Sequence, residues 1–197
     1  MTKLLKILDK YVENVLNKKL IYSKSYERLE DTDNSIYLKL DDKSYSEKSI
    51  PDLDISFPLR KGSSDKAWLY NLPYNNRHSF KRSQVMGDSE LMNEMKRVFG
   101  DGNYVCSGIF HMLPGGTCPW HTNSNNKEGE RIYLVWAKEH NKSFFRYKDI
   151  KTGEMITEWE IKGWQVNRFT PTNRPPYVWH CVASETDRIS IGFNKLK

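Results

Sequence analysis

Residues 177–194 read YVWHCVASETDRISIGFN. Two apolar segments, each rich in β-branched and aromatic side chains, flank a short polar stretch of turn formers, the pattern of two strands joined by a tight connection. Working back towards the N-terminus, the pattern recurs in YVCSGIFHML (104–113), RIYLVWA (131–137), KSFFRYKD (142–149), EMITEWEI (154–161) and WQVNRFTP (164–171), with Pro, Gly and Asn between them. So many short strands in succession predict an antiparallel β-sandwich or jelly roll.

The half before Tyr104 reads differently. Residues 3–20 place Leu4, Leu5, Leu8, Tyr11, Val12, Val15 and Leu16 on one helical face. A second helix is capped by Asp88 or Ser89, lined by Leu91, Met92, Met95, Val98 and Phe99, and ended by Gly100 and Gly102. Both helices are expected to pack on one outer face of the sheet. Residues 23–66 are polar and turn-rich, with short alternating pieces such as SIYLKL (35–40), and predict an irregular region with one or two edge strands. The 197 residues suit a single domain, 1–197, with 1–103 as helical and irregular support and 104–197 as the β core.

Composition narrows the function classes. Apolar residues make up 38%, charged residues 28% and aromatics 13%, which excludes collagenous and wholly disordered chains. No run approaches the roughly 20 apolar residues of a membrane span. The N-terminal stretch is broken by charge every few residues, unlike a secretory signal. Cys106, Cys118 and Cys181 are an odd, sparse set, which argues for a reducing compartment rather than a disulfide framework. A cytoplasmic protein is expected. The net charge of +6 favours anionic partners, but no nucleic-acid-binding signature accompanies it. The expected partner is a small-molecule or side-chain substrate, an anionic one being favoured by the charge; nucleic acid is a disfavoured but open reading, and no membrane partner is expected.

Of the five histidines, two sit in unusual company. His121 lies in PGGTCPWHTNSNN (114–126), after a Gly-Gly turn and before an Asn-rich loop. His180 lies inside the apolar strand of 177–183, and Arg188 and Ser190 share one face of the next strand because side chains alternate with period two. A redox iron centre needs neutral imidazoles on a rigid frame with coordination positions left open. A dicarboxylate co-substrate needs an anchor for its far end, and a guanidinium fork pairs with a carboxylate through two parallel hydrogen bonds. A histidine in an apolar strand also serves as an ordinary packed core residue, so the pairing with His121 and Arg188 is what gives His180 its interest.

These residues carry a resemblance. Residues 104–194 resemble the 2-oxoglutarate/iron(II) dioxygenase superfamily, whose pattern is His-x-Asp or His-x-Glu, a distal His, then Arg-x-Ser. His121 matches the first histidine, His180 the distal one, and Arg188-Ile189-Ser190 the co-substrate anchor. The stretch from HTNSNN to GERIYLVWA also resembles the aspartyl/asparaginyl β-hydroxylase branch and phage-type oxygenases. The resemblance implies a double-stranded β-helix of cupin-like form, mainly β with helices on one outer face. It further implies Fe(II) and 2-oxoglutarate as cofactors, His121, His180 and Arg188 as catalytic residues, and Arg188 and Ser190 at the co-substrate; Arg131 and Tyr133 share one face of RIYLVWA and are candidates either for co-substrate contact or for the sheet exterior.

The departure is Asn123, which stands where the family has its carboxylate. Asn123 as a neutral metal ligand, a two-histidine site completed by water, a halide in the vacancy, loss of the metal, and a carboxylate such as Glu128 or Glu130 swinging in are all open readings. The two-histidine site, with or without Asn123, is the favoured one. Trp120 and Trp179, each preceding a proposed ligand, are candidates for the pocket wall. His111 reads as structural, and His78 and His140 as solvated. The segment NNRHSFKRS (75–83), with Arg77, Lys81 and Arg82, reads as a solvated loop that can meet an acidic substrate at the pocket mouth. Beside the oxygenase stand a non-redox binding module on the same frame and, further off, an isomerase that would need neither Arg188 nor 2-oxoglutarate.

Overall fold

The computed structural model describes residues 2–26, 75–123, 129–172 and 176–196; the SIYLKL piece and Glu128 lie outside them. The N-terminal periodicity becomes α1 (Thr2–Leu16), which buries Leu4, Ile7, Leu8, Tyr11, Val12 and Val15. It stops earlier than the pattern to residue 20 suggests, and Leu16 is 41% exposed, outside the buried stripe. Two strands follow, β1 (Tyr22–Tyr26) and β2 (Asn75–Phe80), then a short α2 (Ser83–Met86) and α3 (Ser89–Phe99). Asp88 caps α3 by accepting from the Leu91 amide, and the same carboxylate accepts from Tyr11 Oη at 2.9 Å, so one side chain ties α1 to α3.

The remaining strands are β3 (Asn103–His121), β4 (Gly129–Ala137), β5 (Ser143–Lys148), β6 (Met155–Trp159), β7 (Gly163–Phe169), β8 (His180–Ser184) and β9 (Arg188–Leu196). They form a curled antiparallel sheet in the order β6-β5-β8-β3-β9-β4-β7. The fold is a double-stranded β-helix, and β3 is what closes it. Its first part, Asn103–Met112, pairs with β9, and its last part, Gly116–His121, pairs with β8. The Pro-Gly-Gly segment is therefore no turn but the place where one strand passes between the two halves of the framework. Gly115 sits at φ 80°, and a Cβ on Gly116 would meet the Leu113 carbonyl at 2.8 Å and the Asn76 carbonyl at 3.1 Å. β2 pairs with β3 and β1 with β2, extending the sheet beyond the β3–β9 framework.

Side-chain alternation sorts the faces. Ile132 and Leu134 of β4 and Ile189, Ile191 and Phe193 of β9 join the helix residues in one large core, so the helices do cover one outer face. The alternate positions, Tyr133 on β4 and Arg188, Ser190, Gly192 and Asn194 on β9, turn inward to a cavity. On the other half, Trp120, Phe144, Trp179, Cys181 and Ala183 form a separate outer cluster. Trp120 and Trp179 thus back the site from outside and do not wall it. Among the described residues no helix is long and apolar enough to cross a membrane.

Candidate functional site

His121 ends β3 and His180 begins β8, and the two are direct cross-strand partners. Their ring centroids are 4.0 Å apart at an interplanar angle of 56°. Both are buried, His121 at 8% exposure and His180 at 1%. The His180 Nδ1 lies 2.9 Å from the Val178 carbonyl, which can only accept, so Nδ1 carries the proton and Nε2 keeps its lone pair. Burial first, and then the neighbouring His121, hold the His180 pKa well below the ordinary imidazole value, so the ring is neutral. The Nδ1 of His121 faces Cys118 Sγ at 3.7 Å, so metal ligation by His121 would use Nε2.

Asn123 joins the pair from the loop. Its backbone adopts φ 54°, a left-handed conformation that Asn tolerates better than most residues. The side chain thereby turns back, and Nδ2 lies 3.0 Å from His180 Nε2 and donates to Tyr133 Oη at 3.0 Å. In this arrangement Asn123 is a donor to the site and not a metal ligand; ligation through its oxygen would need the amide turned over. Burial pushes the Tyr133 pKa up to about 12, so the phenol stays protonated. Phe145 of β5 and Phe169 of β7 close around His180, with ring centroids at 5.4 Å and 4.9 Å.

The cavity beside the histidines has a volume of about 200 Å³. His121, His180, Asn123, Tyr133, Arg188 and Ser190 all line it, so the framework brings together most of the residues singled out from the sequence. Two expectations need correction. The Arg188 fork is already occupied: Nε and Nη2 donate to the Glu160 carboxylate at 2.7–3.0 Å, with Arg188 4% and Glu160 0% exposed. Ser143 Oγ donates to the same carboxylate at 2.5 Å. Arg131 does not line this cavity; it is fully buried, with Nη1 donating to the Gly129 carbonyl at 3.1 Å.

Other residues also settle. Glu130 accepts from Arg168 Nε at 2.7 Å, so its carboxylate is engaged there and not at the histidines. His111 Nε2 pairs with Asp187 at 2.9 Å, the structural role expected of it. His140 is exposed, but His78 is not a loop residue: it lies on β2 against Tyr22, with ring centroids 5.4 Å apart. Arg77, read above as part of a solvated loop, is 7% exposed on β2. It stacks on Phe110 with its guanidinium carbon 4.4 Å from the ring, and Nη1 lies 3.6 Å from Cys118 Sγ. Arg77 and Arg82 both line the cavity. Cys118, legible in the sequence as a cysteine flanking His121, also lines the cavity, whereas Glu160 was missed altogether.

No protein-family model and no curated protein matches the chain. Among solved structures it is similar over part of its length to a 2OG-Fe(II) oxygenase family oxidoreductase from Burkholderia pseudomallei, at 14% identity and TM-score 0.39, covering 58% of this chain and 57% of that one. A Pseudomonas putida prolyl-4-hydroxylase matches at 17% identity and TM-score 0.39, with 57% and 60% covered. A recombinant oxalate oxidase in complex with glycolate matches at 15% identity and TM-score 0.33, with 47% and 42% covered. The chain spans about half the length of these structures.

The donor set is compatible with a divalent first-row metal. Two buried imidazoles lie ring to ring, a hydrogen bond fixes the tautomer of one of them, and both line a cavity. Among the described residues no group of three His, Cys, Asp or Glu side chains stands ready to hold an ion, so the donors on view are the two histidines.

Proposed function

We propose that this chain is an iron(II)- and 2-oxoglutarate-dependent oxygenase that hydroxylates a small, anionic substrate or side chain. The observation that carries the reading is the cross-strand His121–His180 pair, converging at 4.0 Å beside a cavity that three arginines line. His121 and His180 would hold the iron. When bound, iron with 2-oxoglutarate supplies oxidative decarboxylation to succinate and carbon dioxide coupled to attack on a C–H bond.

The protein's own part is positional. The Val178 carbonyl keeps His180 in the ligating tautomer. Tyr133, protonated at neutral pH, and Asn123 offer polar contacts beside the ring, and Phe145 and Phe169 keep water from it. Beyond those two phenylalanines lies a second cavity of about 570 Å³, lined by Tyr147, Lys148, Lys151, Glu158 and Asn167 among others, a natural approach for the molecule to be oxidised. The test is anaerobic addition of iron(II) and 2-oxoglutarate to the purified protein. A weak visible charge-transfer band, lost in His180→Ala, and succinate release on admitting oxygen are expected. No band and no succinate would defeat the proposal.

One observation favours a second reading, a cupin-like binding module without redox activity. The Asn123 amide already satisfies the His180 Nε2 lone pair at 3.0 Å, a self-sufficient hydrogen bond that needs no metal. That reading predicts no metal binding in the same experiment.

A further inference from the structure

Asn167 stands on β7 with 8% of its surface exposed, and among the described residues its buried Nδ2 has no hydrogen-bond partner. An amide nitrogen carries two donors, and leaving them unmade in the interior is costly, so buried amides in native proteins are nearly always engaged. Its neighbours on the strand are accounted for: Gln165 Oε1 accepts from the Ile161 amide, and Arg168 is paired with Glu130. Asn167 lines the larger cavity, of about 570 Å³, together with Phe145, Tyr147 and Phe169.

That cavity adjoins the histidine pair. Side chains on β7 alternate, so Asn167 and Phe169 share a face, and the Phe169 ring lies 4.9 Å from the His180 ring. Phe145, 5.4 Å from His180, lines both cavities. Across the ladder Asn167 pairs with Tyr133, which lines the cavity of the histidines. Phe145, Tyr147 and Phe169 form a continuous aromatic wall, with ring centroids 5.7 Å and 5.8 Å apart. The orphaned amide and the rings that pack on His180 thus line one and the same space.

We propose that Asn167 is the specificity determinant of this cavity, donating from Nδ2 to the carbonyl oxygen of an amide-bearing molecule whose apolar part lies on Phe145, Tyr147 and Phe169. The inference deepens the oxygenase reading, and rests on it only in calling that molecule the substrate. Nδ2 is screened from solvent as the side chain stands, and a turn about the soft Cβ–Cγ bond carries it to the cavity when an acceptor arrives. A neutral carbonyl fits better than a carboxylate at this depth, because Asn167 is uncharged and a buried anion needs a countercharge to offset its desolvation. Any negative charge on the same molecule belongs further out, at the rim where Lys151 is exposed.

The test uses the full chain and benzamide as the probe. Toluene, which lacks the carbonyl, and benzoate, which carries the charge, are its controls. In the nuclear magnetic resonance spectrum of isotope-labelled protein, the Asn167 side-chain signal is the one lost in Asn167→Leu. Benzamide should move that signal. Asn167→Leu should weaken benzamide by about two- to twelvefold, the range of one net hydrogen bond, and should not weaken toluene. Asn167→Asp, which keeps the shape and replaces the donor by an acceptor, should lose at least as much. Because leucine removes an unsatisfied donor, the urea midpoint of Asn167→Leu should lie at or above the parent's. With manganese(II) on the histidines, the proton signals of bound benzamide should broaden, as they do beside a paramagnetic ion.

A signal that stays in place, equal benzamide affinity in the parent and both variants, tighter binding of benzoate than of benzamide, or a clear loss of stability in Asn167→Leu overturns the proposal. If manganese fails to bind, or binds without broadening bound benzamide, the oxygenase reading of the occupant falls and the amide site stands. If manganese binds and benzamide does not, the reverse holds.

Discussion

Asn123 reaches His180 only because its backbone takes up φ 54°, and the amide it delivers bridges His180 and Tyr133. A working two-histidine centre does not need that amide as a ligand. Asn123→Ala should therefore keep metal affinity within about tenfold, whereas His180→Ala should lower it by more than about a hundredfold, beyond the usual cost of losing an outer-shell partner. Asn123→Asp should tighten iron(II) when 2-oxoglutarate is absent, because it returns an anionic oxygen beside the pair. Equal loss in Asn123→Ala and His180→Ala, measured by metal titration, would make Asn123 a ligand after all. The two histidines were legible in the sequence because each stands out locally, one after Pro-Gly-Gly and one inside an apolar strand. Glu160 was not legible. It follows a strand whose last residue, Trp159, is 42% exposed, and only its long-range meeting with Arg188 shows that it is buried. Arg77 was misread for the same reason: NNRHSF lacks an apolar alternation, and its burial comes from pairing with β3.

Periodicity made the elements themselves readable. The β4 and β9 strands alternate between helix-facing apolar side chains and cavity-facing polar ones, and the sequence carries that alternation openly. Boundaries and crossings were less visible, because the passage of β3 between two partners is set by β8 and β9, not by residues 113–116. Two predictions belong to this scale. Tyr11 and Asp88 couple α1 to the cap of α3, so Asp88→Ala should cost about 1–2 kcal/mol through the cap and more through the lost partner. Combined with Tyr11→Phe, the two losses in chemical denaturation should fall short of additivity. On β9, Gly192 gives room to its neighbours: a Cβ there would lie 2.5 Å from Ser107 Oγ and 2.7 Å from the Tyr133 ring. Gly192→Ala should cost about 1–3 kcal/mol by overpacking. It should also disturb 2-oxoglutarate binding, because Tyr133 must move; unchanged stability and binding would show that the strand yields without strain.

For the molecule as a whole, the buried Glu160–Arg188 pair and the buried thiols set two tests of stability. Glu160→Ala should cost about 3–5 kcal/mol, since it leaves a guanidinium uncompensated in the interior; a loss below about 1 kcal/mol in urea denaturation would show that the cation finds water. Burial pushes the Cys106 thiol up to about 11. In the unfolded chain the thiol ionises near 8.5, so above that pH the unfolded state holds fewer protons than the native one, and stability falls until the native thiol ionises too. Between pH 8.5 and 11 this one group should remove about 2–3 kcal/mol, and Cys106→Ala should flatten that part of the profile. The long reach of β3 has a kinetic consequence as well. Its partners are β8 and β9, at the far end of the chain, so the final registers close only after large loops have been drawn together, and refolding should be slow, on the order of milliseconds to seconds. His121 and His180 are 59 positions apart (180 − 121), the shortest closure in those registers, so by loop entropy their pairing is the first of them to form. A divalent ion at the pair should therefore quicken the refolding limb of a chevron plot as well as slow the unfolding limb, acting as a clasp on the closing barrel.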